Sequence, residues 1–193
     1  MLGAFKKFLK ANGQAFTACR SGIAAIEFAL VGPVLLVLLF GVIEGSDALS
    51  RSRQVSLAVN TLADLVSQEN ELLISDAEDL FDGIEQIAAP NGGVVSIKLV
   101  SVIKDSRGNN VVHWSRDNAG NIPYIPGTPY TKLSTSTLID EGASVIIGEV
   151  DYKYTSKLSR LVMPSIKFHR TATRWPRRSV RVQLCRLKGI CTS

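Results

Sequence analysis

Glu27 is a carboxylate placed inside an apolar run. From Ile23 to Ile43 the chain reads IAAIEFALVGPVLLVLLFGVI and carries no other charge. A charged side chain at mid-bilayer depth costs about 2.5–3.5 kcal/mol on insertion scales, so an acid in such a run is a functional candidate. Glu27 stands one helical turn from the start of the run, and the plainer alternative is an interfacial charge without a role. Gly22 directly precedes the run and Arg20 precedes Gly22. The segment therefore reads basic residue, small residue, then a helix with an acid at its fifth position. Elsewhere, residues able to do chemistry are sparse. His113 and His169 are the only histidines, both in expected strands and neither in a metal-spaced cluster. The sequence holds no HExxH, GxSxG, P-loop or CxxC motif. Glu149 and Asp151 share a strand parity, and beside Lys153 they read as solvent-facing strand residues rather than as catalytic carboxylates. No catalytic residue, metal site or cofactor is assigned, and the reading is not that of an enzyme.

The element that positions Glu27 is the run itself. At about 1.5 Å per residue it spans about 30 Å, the thickness of a bilayer's hydrocarbon core, and it has no polar face. It reads as a transmembrane helix over residues 23–46, with Gly32-Pro33 bending the axis. Residues 1–22 hold Lys6, Lys7, Lys10 and Arg20 and no acid. By the positive-inside rule this basic leader stays in the cytoplasm and residues 47–193 lie outside. Leu2, Phe5, Phe8 and Leu9 give the leader an amphipathic helical pattern suited to a membrane surface. A secretory signal peptide fits less well, because its apolar region is about 7–15 residues and ends in an A-x-A-like site.

The outer part is long enough for one domain with a modest core. Residues 47–70 continue a helix, with Leu49, Val55, Ala58, Val59, Leu62, Leu65 and Val66 at three-four spacing. Ser75 to Glu78 has the spacing of a capping box and opens a second helix over 75–89, closed by Pro90-Asn91-Gly92-Gly93. Residues 94–103 and 110–115 form a hairpin across KDSRGNN. An Asn/Gly/Pro-rich loop follows at 117–129, and Tyr130 to Asp140 is a short helix or irregular. Strands are expected at 144–156, 165–176 and 179–184. The fold class is α+β: a long N-terminal transmembrane helix continuing into an outer domain of helices on an antiparallel sheet.

The string Gly22-Ile23-Ala24-Ala25-Ile26-Glu27-Phe28 resembles the cleavage site of type IV pilin-like proteins. The longer stretch AAIEFALVGPVLLVLLFGVIEGS is similar to the TadE/TadG-like minor pseudopilins of the tight-adherence (Tad, Flp-type) pilus. The likeness is close over residues 20–47 and looser at GASVIIGEVDYKYTS and RWPRRS; residues 48–140 carry no matching motif. It implies a pilin-like layout and a prepilin peptidase that cuts between Gly22 and Ile23. Arg20 and Glu27 would then serve recognition and assembly, in the inner membrane of a bacterium. It also implies other pilins, pseudopilins and the inner-membrane assembly platform as partners, besides the lipid bilayer. A cut after Gly22 creates an amine on Ile23, one turn from Glu27, and the two charges neutralise each other within a chain or between staggered neighbours. The competing reading is an unprocessed, membrane-anchored binding or scaffold module.

Cys19 would leave with the leader, so Cys185 and Cys191 remain as an even pair in an oxidising compartment. A disulfide is favoured there over free thiols, and a metal pair lacks further ligands. The formal charge of +5 is uneven: between Tyr152 and Ser193 stand eleven Lys and Arg and no acid. That asymmetry suits an acidic partner subunit, a phospholipid surface or a surface polymer, or a plain solvated strand face. Nucleic acid is not an expected partner, because this end lies outside the cytoplasm.

Overall fold

The structure, a computed structural model, describes residues 21–133, 139–140, 142–155 and 165–191. Most of the leader, with Arg20 and Cys19, lies outside the described residues, as do positions 134–138 of the stretch from Tyr130 to Asp140. The chain divides into two compact units, Met1–Ser46 and Asp47–Ser193. Helix α1, Ser21–Ser67, runs through both and continues through Gly32-Pro33 without ending.

In the first unit the helix has no protein cover. Phe28 and Val37 are 75% and 71% exposed, and the most apolar window has no buried share. Among the described residues this is the one helix long and apolar enough to cross a membrane. It is a candidate for a single-pass N-terminal anchor.

In the second unit α1 becomes a core helix. Val55, Val59 and Ala63 form one ridge at i+4 spacing, and Ala58, Leu62 and Val66 form the next, all buried. Leu49 and Leu65, expected to face inward, are 63% and 44% exposed. Leu65 falls off both ridges, and Leu49 is exposed although its neighbour Ala48 packs against the core. Strand β1, Glu71–Leu73, follows, a short element that periodicity does not reveal. It leads directly into α2, Ile74–Ala88, which buries Ala77, Phe81, Ile84 and Ala88. The expected capping box does not form. Leu73 is the N-cap, with no side-chain cap, and the Ser75 hydroxyl bonds Asp76 at 3.3 Å instead. The pairing of β1 holds Leu73 extended, so the strand fixes where the helix starts.

The main sheet comprises β2, Val95–Lys104; β3, Asn110–Asp117; β4, Ser144–Tyr154; and β5, Ile166–Arg174. Its order is β3-β2-β4-β5, antiparallel throughout. A second sheet joins β1 in parallel to β6, Gln183–Leu187, and β6 antiparallel to β7, Ile190–Cys191. The last strand thus starts later than the expected 179–184. Side-chain alternation divides the main sheet into two faces. Val95, Ile97, Leu99, Trp114, Ile146, Val150 and Tyr152 meet the helices. Val100, Val102, Val112, Val145 and Ile147 form a smaller core under Tyr130 and Ile139 on the other side.

The helix approaches the sheet closely at Gly148. A Cβ built there would stand 3.3 Å from Leu62 Cδ2 and 3.4 Å from both Val59 Cγ2 and the Val59 carbonyl oxygen. The carbonyl belongs to the helix backbone and cannot rotate aside. Gly148→Val is expected to cost about 1–3 kcal/mol through overpacking. Urea unfolding of the full chain in detergent checks this, and a midpoint equal to that of the wild type would contradict so tight an approach.

Cations of the C-terminal third are partly absorbed by α1. Ser52, Ser56, Asn60 and Asp64 form a polar stripe at i+4 spacing. The Arg170 guanidinium donates to the Ser52 and Ser56 hydroxyls at 2.8 and 3.1 Å. Arg174 donates to Asn60 Oδ1 at 2.9 Å, and Arg177 pairs with Asp64. Strand β5 therefore runs along the Asp47–Ser67 part of α1.

Candidate functional site

Two places carry the chemistry: the start of α1 and a buried carboxylate beneath the long loop. At the first, Gly22, Ile23 and Glu27 lie on the exposed part of α1, with Ile23 57% exposed. Among the described residues, chain neighbours and the helix's own backbone aside, nothing lies within 4 Å of a Cβ built at Gly22. Glycine costs roughly 1 kcal/mol relative to alanine inside a helix, and the fold gives no packing reason for it there.

At the second, Glu149 corrects the sequence reading. It is 1% exposed rather than solvent-facing, and both its oxygens are occupied. Tyr124 Oη donates to the carboxylate at 2.8 Å, Tyr130 Oη at 2.9 Å, and Lys132 Nζ at 3.1 Å. Lys132 also donates to Tyr124 Oη. The Tyr124 and Tyr130 rings meet edge to face at 5.5 Å. Burial pushes the Glu149 pKa up, but the bonds from Tyr124, Tyr130 and Lys132 outweigh it and hold the carboxyl below its usual value. Burial raises both phenols, so they stay protonated as donors. Burial lowers the Lys132 ammonium, and its bonds to Tyr124 and Glu149 more than reverse this. The cluster clasps the loop onto the sheet. Its signal in the sequence was parity: Glu149 follows Val145 and Ile147 on the same strand face, and that face is apolar. The partners, 17 to 25 residues away, had no signal.

Asp151, in contrast, is exposed. Its Oδ1 lies 2.6 Å from His169 Nδ1, whose Nε2 lies 3.3 Å from the Thr171 hydroxyl. Carboxylate, imidazole and hydroxyl thus follow one another, but on an open strand face. Acyl transfer relies on preorganised donors in a water-excluded site, which an open face does not supply. His113 contacts the Ser101 hydroxyl at 3.4 Å, and burial, then Arg181, holds its pKa below the ordinary value.

Cys185 and Cys191 face each other across β6 and β7 and are bonded, S–S 2.00 Å. Glu71 lies beside them, its carboxylate accepting from the Gly189 N–H at 3.3 Å. With the sulfurs bonded to each other, the three do not form a thiolate metal site.

The decisive comparison concerns α1. Residues 22–64 match the family model of TadE-like proteins. The match covers Gly22, Ile23, Glu27, the apolar span and most of the ridge that enters the core. It extends through residues 48–64, where the sequence alone offered no motif, and it does not include 142–156 or 174–179. No curated protein and no solved structure matches the chain. The TadE-like segment is thus one continuous helix, exposed in its first half and burying one face in its second.

Proposed function

We propose that this chain is a minor pseudopilin-like component of a Tad-type pilus, acting by membrane insertion and subunit assembly rather than by catalysis. The observation that carries the reading is the TadE-like match, which begins at Gly22 and includes Glu27 and the whole apolar span. Two features support it. The fold leaves Gly22 open, so a small residue there suits a peptidase better than it suits packing. The basic leader favours a cytoplasmic N-terminus and an outer domain in the periplasm or beyond. On this reading a prepilin peptidase cuts after Gly22. The mature helix then joins other pilins and pseudopilins at the inner-membrane assembly platform.

Co-expression with a prepilin peptidase tests this. Mass spectrometry of the membrane protein is expected to find Ile23 as the first residue, and Gly22→Leu is expected to keep the leader. An intact leader on the wild-type chain in peptidase-positive cells overturns the proposal and favours an unprocessed, anchored scaffold module.

A further inference from the structure

The outer domain is electrically polar across the width of its sheet. From Gln54 to Ile97 the sequence holds eight acids and no Lys or Arg, whereas Tyr152 to Ser193 holds only cations. The fold brings part of the two blocks together, Arg177 on Asp64 and β6 beside β1, and sets the rest apart. Helix α2 lies over the β3–β2 half, where Arg116 of β3 reaches Glu78 at 3.2 Å. The Asp47–Ser67 part of α1 lies over β4 and β5, at Gly148 and Arg170. On the outer face of α2, Asp76, Asp79 and Asp82 are exposed and have no ion pair among the described residues. At the far edge, Lys153 and Lys167 are exposed cross-strand neighbours, likewise unpaired. Arg170 has the opposite parity to Lys167 and turns to the Ser52 and Ser56 hydroxyls on the helix side, so it is not part of this pair. Strand β5 also ends the sheet, with no strand on its outer edge among the described residues.

We propose that the β5 edge is the docking surface for the acidic α2 face of a second copy of this chain. Lys153 and Lys167 of one copy would meet Asp76, Asp79 and Asp82 of the next. The two surfaces differ, so the contact is heterologous and a joined pair keeps one free face of each sign; such contacts grow into rings or helical filaments. Because β5 runs along α1, the contact direction is across the helix axis. Side-by-side copies keep their Asp47–Ser67 helices parallel. The inference deepens the proposed assembly role and rests on it for its setting.

The test uses full-length protein in native membranes, treated with a carbodiimide that joins adjacent carboxylates and amines. The wild type is expected to give a ladder of oligomers whose linked peptides join Asp79 or Asp82 to Lys153 or Lys167. The ladder should fade toward 1 M salt, where the Debye length falls to about 3 Å. D79K/D82K alone and K153E/K167E alone are each expected to lose these oligomers. Both pairs in one chain, or the two variants mixed, should regain association, read by co-purification of differently tagged copies. All four positions are exposed, and circular dichroism of each variant confirms that it folds. No ladder in the wild type, a ladder unchanged in either single-face variant, or no recovery in the folded double swap overturns the proposal. Leader cleavage, measured on the same samples, reports separately on the pilin-like reading.

Discussion

Glu149→Ala is expected to destabilise the outer domain by about 3 kcal/mol. The substitution strips the acceptor from Tyr130 and Tyr124 and opens a void between them, and a buried donor without a partner costs about 1–3 kcal/mol. Removing one member of a fully buried ion pair costs about 3–5 kcal/mol, but the Lys132 side chain is 53% exposed and regains water, so the ionic share is discounted. Glu149→Gln keeps the volume and one acceptor and is expected to lose less. The pH dependence carries the sign of the carboxyl shift. The folded-state pKa lies below the ordinary value of 4.5, so the contribution of Glu149 is complete above that value and is lost as pH falls through the lower folded value. Urea unfolding of full-length protein in detergent, followed by tryptophan fluorescence, should show Glu149→Ala less stable at neutral pH and with a shallower decline below about pH 4.5. Equal stability and an unchanged acid limb would mean that the clasp on the loop does not hold.

Glu27→Leu is expected to abolish pilus formation while leaving membrane insertion intact. Insertion needs only apolar length, and removing the carboxylate relieves a cost of about 2.5–3.5 kcal/mol. Assembly differs under the proposed function. After a cut at Gly22, the Ile23 amine sits at the positive end of the helix dipole, where Glu27 neutralises it in its own chain or in a staggered neighbour. Leucine leaves that amine unpaired in an apolar bundle, a heavy cost for one register of packing. The peptidase chiefly needs the small residue before the cut, so processing should continue. Electron microscopy of cells carrying only Glu27→Leu checks the outcome; normal numbers of pili would leave Glu27 as an interfacial charge.

What the sequence determined by itself is local or periodic. The span from Ile23 to Ile43 follows from apolar length, which needs no tertiary partner. The buried face with Val55, Val59 and Leu62 follows from helical spacing, and the hairpin and β4 follow from alternation between turn residues. The Gly22–Glu27 pattern was legible because its spacing lies within one helical turn or so. What only the tertiary structure decided depends on residues distant in the chain. Strand β1 exists because β6, more than a hundred residues later, offers it a partner, and that pairing sets the start of α2 in place of the Ser75 capping box. Glu149 shares the parity of the apolar Val145 and Ile147, but nothing in the local pattern reveals that the Tyr124–Lys132 segment covers it. The basic C-terminal third likewise reads as one uniform charge run. The fold spends Arg174 and Arg177 on Asp64, sets Arg170 against serines, and leaves Lys153 and Lys167 at an open edge opposite the acids of α2. Charge adds up along a sequence, but the potential that a partner meets depends on which edge of the sheet each charge reaches.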